Sequence, residues 1–178
     1  MQQQSTLAYT AKDTQVLEGL TAVRVRPGMY IGSTDQRGLH HLIYEILDNA
    51  VDEAMAGYCS HVEISIDEDG LIRVADNCRR IPNDIHPSTC KTALERVMTT
   101  LHAGGKFGGG AYKVTGGLHG VGGSVVNGLS EYLKAEVRRN GWYYYQEYSQ
   151  GVPLGKLVKE SKSDLHGTTI SFKPDPEI

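Results

Sequence analysis

Glu45-Ile46-Leu47-Asp48-Asn49-Ala50-Val51-Asp52-Glu53 is the stretch that decides how the chain reads. Spacings of three and four residues fall on one face of an α-helix. Glu45, Asn49, Asp52 and Glu53 therefore share a face, while Ile46, Leu47, Ala50 and Ala54 fall mostly on the other. An acidic row on a solvated helix would mean little. A row that includes an Asn and has few basic partners suits a cation and a polarised water. His41 precedes Glu45 by one turn and can orient its carboxylate. Glu45 can act as general base for an attacking water. Asn49 can offer a neutral oxygen to Mg²⁺, which prefers few protein ligands plus water and phosphate oxygens.

The elements around this helix, read as Gly38 to Ala56, give the fold class. Upstream, residues 1–15 read as a flexible arm, and Val16 to Val25 has helical spacing ended by Arg26-Pro27-Gly28. Downstream, His61 to Asp67 alternates like a half-buried strand, and Leu71 to Ala75 is its hairpin partner. Ala93 to Leu101 is a helix, Ala103 to Leu118 a glycine-rich loop, and His119 to Leu129 a second glycine-led helix. Strands follow at Lys134–Arg139, Trp142–Ser149 and Thr168–Phe172, with a short one at Gly155–Val158. Helices come first and most strands later. This predicts an α+β two-layer sandwich, a mixed and mostly antiparallel sheet with helices on one face.

At 178 residues the chain is long enough for one domain with a sizeable core, here residues 16–178. A net charge of −3 leaves no nucleic-acid footprint over the whole chain. No apolar run is long enough to span a membrane. The three cysteines, Cys59, Cys78 and Cys90, are odd in number and lack metal-type spacing. They read as free thiols in a reducing, cytoplasmic compartment.

Three further segments carry chemistry. Asp76 closes a strand, where a carboxylate could accept an exocyclic amine such as that of adenine. Gly116 to Ser124 is a glycine run entering a helix, and such N–H groups can face phosphates. Lys106 and Lys113 lie close enough in sequence to add charge. Gly167-Thr168 opens a late strand.

Taken in order, these segments resemble the GHKL ATPase superfamily. Arg26-Pro27-Gly28-Met29-Tyr30-Ile31-Gly32, Leu101-His102-Ala103-Gly104-Gly105-Lys106-Phe107 and Tyr112 to Gly122 are similar to its type IIA topoisomerase branch, of the gyrase B and topoisomerase IV kind. The resemblance runs from about residue 9 to the end. It implies ATP and Mg²⁺ as cofactors, with Glu45 as general base, His41 supporting it, and Asn49 as metal ligand. It implies that Asp76 accepts the adenine amine with help from Thr168, that Glu53 and Arg79 wall the pocket as an ion pair, and that Ile81 and Pro82 line its mouth. Lys106, Tyr112, Gly117, Leu118, His119, Gly120, Val121 and Gly122 would hold the triphosphate. Arg139 would stand where aminocoumarin inhibitors bind, and Tyr9 would lie on an arm that wraps a second protomer. The implied partners are gyrase A or its topoisomerase IV equivalent, DNA through the whole enzyme, and a second copy on ATP binding, with no membrane. The family pattern also implies further chain beyond residue 178, including a domain that sends a lysine to the γ-phosphate.

The chain departs from the family pattern chiefly in one motif, with Cys90 also standing where glycine is usual and Gly123 and Gly128 where alanine is commoner. Where D-x-G-x-G is usual, it has Asp76-Asn77-Cys78-Arg79-Arg80. Glycine at such turns permits positive φ or close approach. Substitution there predicts strain of about 1–2 kcal/mol per residue and a weakened pocket. The alternative is thus a non-catalytic, inhibitor-binding relative of the ATPases.

Overall fold

The computed structural model describes residues 19–78, 91–101 and 122–178. Within them lie five helices, α1 (Leu20–Val25), α2 (Gly28–Ile31), α3 (Gln36–Met55), α4 (Ala93–Thr99) and α5 (Gly122–Gly128). Seven strands accompany them: β1 (Val62–Ile66), β2 (Ile72–Asp76), β3 (Ser130–Arg139), β4 (Trp142–Ser149), β5 (Val152–Pro153), β6 (Val158–Lys162) and β7 (Gly167–Pro174). They form one sheet in the order β1-β2-β7-β3-β4-β5, with β6 also on β4. Every pairing is antiparallel. The α+β sandwich is therefore as the sequence predicts, but the sheet is antiparallel throughout its described pairings.

Strand register explains the core. Side chains alternate between faces with a period of two, so Ile72, Phe172, Leu133 and Tyr148 form one row across β2, β7, β3 and β4. Val74, Ile170, Ala135 and Gln146 form the next. Val23, Ile31, Leu42, Ile46, Leu94, Met98, Val125 and Val126 pack on these rows from the helices. Burying one such aliphatic side chain contributes about 1.5–3 kcal/mol. Gln146 is polar in this layer, and its Nε2 donates to Glu95 Oε2 and the Gly155 carbonyl, each at 3.0 Å. That fastens α4 to the sheet.

Several boundaries differ from the sequence reading. α3 starts two residues earlier, because Asp35 caps it by accepting the Arg37 N–H at 2.8 Å. Pro27 is not only a terminator; it is the N-cap of the single turn α2. α4 ends at Thr99 and starts at an N-cap, in which Thr92 Oγ1 accepts the Glu95 N–H at 3.1 Å. The late short strand is Val158–Lys162, not Gly155–Val158, and it pairs with Trp142–Tyr145 of β4. The β1 alternation does not make a half-buried strand. It is the sheet edge, with Ile64 and Ile66 exposed.

The free-thiol reading is corrected for two cysteines. Cys59 and Cys78 are joined by a disulfide. The cross-link spans 19 residues of sequence, a loop size at which a chain-entropy account gives about 3 kcal/mol of stabilisation. Sequence spacing gives no sign of this pairing, since β1 and β2 must first fold back on each other.

A second long-range tie joins α1 to the end of β7. Arg24 Nη2 meets Asp175 Oδ2 at 2.8 Å, and Gln150 Nε2 donates to the same oxygen at 2.7 Å. Burial pushes the Asp175 carboxyl up. Hydrogen bonds from the Glu177 N–H, Arg24 and Gln150, with the Arg24 charge, outweigh burial and hold it below its ordinary value. A carboxyl held low stabilises the fold above the ordinary aspartate range, and that contribution disappears as pH falls through the depressed value. Asp175→Asn is expected to lower stability by about 2 kcal/mol at neutral pH, with the deficit shrinking in acid. Urea unfolding of both proteins across pH checks this.

Candidate functional site

α3 is the spine of the site. Its buried stripe is Gly38, Leu42, Ile46 and Ala50, with Asp52 buried beside it. His41, Glu45 and Asn49 each lie one position before a stripe residue, so they run along its flank rather than opposite it. Ala54, expected on the apolar side, is exposed, and Asp52, expected on the acidic face, is buried. This flank position keeps Glu45 only partly exposed while leaving Asn49 at the surface.

At one end of the site His41 Nε2 lies 3.1 Å from Glu45 Oε1. The start of α5 closes on the other carboxylate oxygen. A Cβ added to Gly122 would sit 2.5 Å from Glu45 Oε2 and 3.1 Å from the Glu45 carbonyl. A side chain there would force the Glu45 carboxylate to shift and press on the Glu45 carbonyl. One turn along, the Asn49 amide nitrogen donates to the Glu45 carbonyl at 3.1 Å, which fixes its side chain on the helix surface.

At the other end Asp76 finishes β2. Its Oδ1 accepts the N–H of Cys78 at 2.9 Å and of Thr168 at 3.0 Å. Both donors are backbone, so the carboxylate has a fixed orientation. The period of two along β2 turns Asp76 to the same face as Ile72 and Val74, toward the helices. Gly167 makes this possible. It has φ 129°, and a Cβ there would collide with the Asp76 carbonyl. Burial pushes the Asp76 carboxyl above its ordinary value, the two N–H groups oppose this, and the negative charge of Glu53 adds to it.

Cys78 is not strained in the way the sequence suggests. The only described non-glycine residues at positive φ are Asn140 and Gln150. The Cys78 side chain turns to Cys59 and the Ala50 carbonyl of α3, with Sγ 3.7 Å from that oxygen. Arg139 ends β3 opposite Trp142, beside an Asn140-Gly141 turn, and shares the helix-facing side with Val137. Among the described residues, no group of three or more His, Cys, Asp or Glu could hold a metal ion. The donor set at Asn49 suits a hydrated Mg²⁺ arriving with phosphate rather than a preformed cage. Tyr9, Arg79, Arg80, Ile81, Pro82, Cys90, Lys106, Tyr112, Lys113, Gly117, Leu118, His119, Gly120 and Val121 lie outside the described residues.

With one carboxylate fixed on α3 and the other at the end of β2, the known proteins the chain resembles become informative. A family model described as histidine kinase-, DNA gyrase B- and HSP90-like ATPase matches residues 34–178. The chain belongs to that family. It is 58% identical over 175 residues to the DNA gyrase B protein of Synechocystis, covering 98% of this chain and 16% of that protein. It is 56% identical over 170 residues to the DNA gyrase B protein of Thermotoga maritima, covering 96% of this chain and 27% of that protein. The fold matches the crystal structure of the 43K ATPase domain of Thermus thermophilus gyrase B in complex with an aminocoumarin. The TM-score is 0.78 at 44% identity, over 89% of this chain and 40% of that one. The chain thus spans roughly a sixth to a quarter of the length of these gyrase B relatives.

Two contributors escape a reading of the sequence. Asn77 Oδ1 accepts the N–H groups of Ser60 (3.0 Å) and His61 (2.9 Å), anchoring the strand end that carries Asp76. Cys78 contributes a backbone donor, which any residue could supply. The first has a faint signal, an Asn directly after the strand-closing Asp; the second has none.

Two outcomes follow from this geometry. Gly122→Ala is expected to displace the Glu45 carboxylate, lowering any Glu45-dependent turnover at least tenfold while costing only about 1 kcal/mol of stability; kinetics and thermal melting together check it. For Asp76, a carboxyl held above its ordinary value costs native stability once ionised, so its effect is most favourable below the ordinary aspartate value and is lost as pH rises through the raised one. Asp76→Asn is expected to be as stable as the parent or more so at neutral pH. In the parent, binding of an amine-bearing ligand is expected to weaken on acidification before an ordinary aspartate would titrate. Denaturant melts and calorimetry across pH check both.

Proposed function

We propose that this chain is the ATP-binding and hydrolysing module of a type IIA DNA topoisomerase of the gyrase B kind, with residues 16–178 as its nucleotide domain and 1–15 as an arm. The observation that carries the reading is the division of labour along α3. Its His41–Glu45 pair meets the glycine start of α5, and its Ala50 turn meets the Cys78 segment that follows Asp76. From His41 to Glu53 the helix runs about 18 Å, long enough to lie along a whole nucleoside triphosphate.

In this reading Asp76 accepts the adenine amine, with its orientation set by the Thr168 and Cys78 N–H groups. Glu53 and Arg79, then Ile81 and Pro82, border the base, and Arg139 stands at the mouth where an aminocoumarin would lie. Lys106, Tyr112 and the amides from Gly117 to Gly122 hold the triphosphate by charge and fixed dipoles. Asn49 ligates Mg²⁺, which when bound neutralises charge developing on the phosphate oxygens. Glu45 takes a proton from the attacking water, and His41 keeps that carboxylate facing it. ATP binding then brings two copies together through Tyr9 and the arm, closing a clamp for DNA strand passage. The full-length protein works with gyrase A, or its topoisomerase IV equivalent, in the cytoplasm. No helix among the described residues is long and apolar enough to cross a membrane.

The test is calorimetric titration with a non-hydrolysable ATP analogue plus Mg²⁺, alongside an aminocoumarin. Saturable binding of both is expected, lost in Asp76→Asn. Glu45→Gln is expected to retain analogue affinity within severalfold and to lose about a hundredfold or more of any hydrolysis. A cooperatively folded sample that binds no nucleotide overturns the reading.

A further inference from the structure

We infer that the Cys59–Cys78 pair is a reversible redox site that sets the affinity of the nucleotide pocket. The inference rests on the nucleotide reading above and concerns its regulation. Cys59 precedes β1 and Cys78 follows β2, so the disulfide closes the open end of the β1–β2 hairpin. It acts beside the Asp76 carboxylate, two residues away, whose Oδ1 is held by the Cys78 N–H itself. The same cross-link lies against α3 through the Ala50 carbonyl. It therefore ties together the loop leaving α3 and the strand end that presents Asp76.

Polar contacts from Asn77 hold the neighbouring residues of this strand exit. Asn77 bridges to Ser60 and His61, and its own N–H donates to the His61 carbonyl at 3.2 Å. With the disulfide formed, Cys78 has one position and its N–H stays on Asp76. With two thiols, Cys78 loses its covalent tie to Cys59 and is held by packing, and the carboxylate loses one of its two fixed donors for part of the time. The oxidised form is thus the better preorganised for an amine-bearing base.

The chemistry is thiol–disulfide exchange with a small-molecule disulfide. One protein thiolate attacks the reagent, releasing one reagent thiolate. The second protein thiolate then attacks the mixed disulfide and releases the other. One S–S bond breaks in the reagent and one forms in the protein, while two protons pass from the protein thiols to the reagent thiolates. In the reverse direction Cys59 is the accessible sulfur, being only partly buried, whereas Cys78 is 2% exposed.

The experiment compares the protein equilibrated with excess oxidised glutathione and with a dithiol reductant. Intact mass and thiol labelling count the disulfide, and calorimetry measures the ATP analogue with Mg²⁺. The expected result is a Cys59–Cys78 disulfide in the oxidised sample and an affinity about fivefold or more tighter than in the reduced one, the lower end of ordinary coupling between two sites. By reciprocity, saturating analogue should shift the glutathione equilibrium toward the disulfide by the same factor. Cys59→Ser should hold affinity at the reduced value under both conditions, and Cys90→Ser should keep the full response. Equal affinities in the two redox states, or two labelled thiols at Cys59 and Cys78 after oxidation, overturn the inference while leaving the ATPase reading standing. Absent binding in both states overturns the ATPase reading and this inference with it.

Discussion

One carboxylate position governs the β2 end of the candidate site. Asp76 is partly withdrawn from water at the end of β2 and oriented by two backbone N–H groups, from Cys78 and Thr168. A buried carboxylate without such donors would be costly. The Cys78 donor is local, two residues on, whereas the Thr168 donor is in reach because β7 lies against β2 with a glycine at the point of closest approach. The sheet order therefore matters chemically. Two strands about ninety residues apart in sequence must be neighbours for the strand-end aspartate to have a defined direction.

α3 supplies the complementary constraint. Its buried stripe glues it to the sheet, and its flank carries the reactive groups, so the depth of the apolar packing sets how far Glu45 sits from water. α5 then limits the carboxylate from the other side through Gly122. The result is a carboxylate held between two helices, with an imidazole as its polar neighbour.

Much of this is legible in the sequence for definite reasons. The three-and-four spacing from His41 to Glu53 specifies a helix face whatever the tertiary structure, and strand alternation survives as an inside–outside pattern from Leu133 to Val137 in β3 and from Gln146 to Tyr148 in β4. What is not legible is non-local. The flank position of Glu45 depends on what buries Ala50 and Asp52 but leaves Ala54 open. The exposure of β1 depends on its being an edge. The Cys59–Cys78 bond needs a hairpin register, and the benign conformation of Cys78 needs a backbone angle, neither of which residue type reveals. The charge pattern likewise says nothing of the Asn77 bridge, because Asn after Asp is a common turn composition.

The amide of Gln146 gives α4 a single address on the sheet. Purely apolar contacts let a helix slide by fractions of a turn at little cost, whereas a buried amide with two directional bonds does not. The Asn127 Nδ2 donation to the Met98 carbonyl, at 2.7 Å, adds a second pin from α5. α4 is thus tied by directional bonds both to β4 and to α5, the helix whose first residue, Gly122, closes on Glu45.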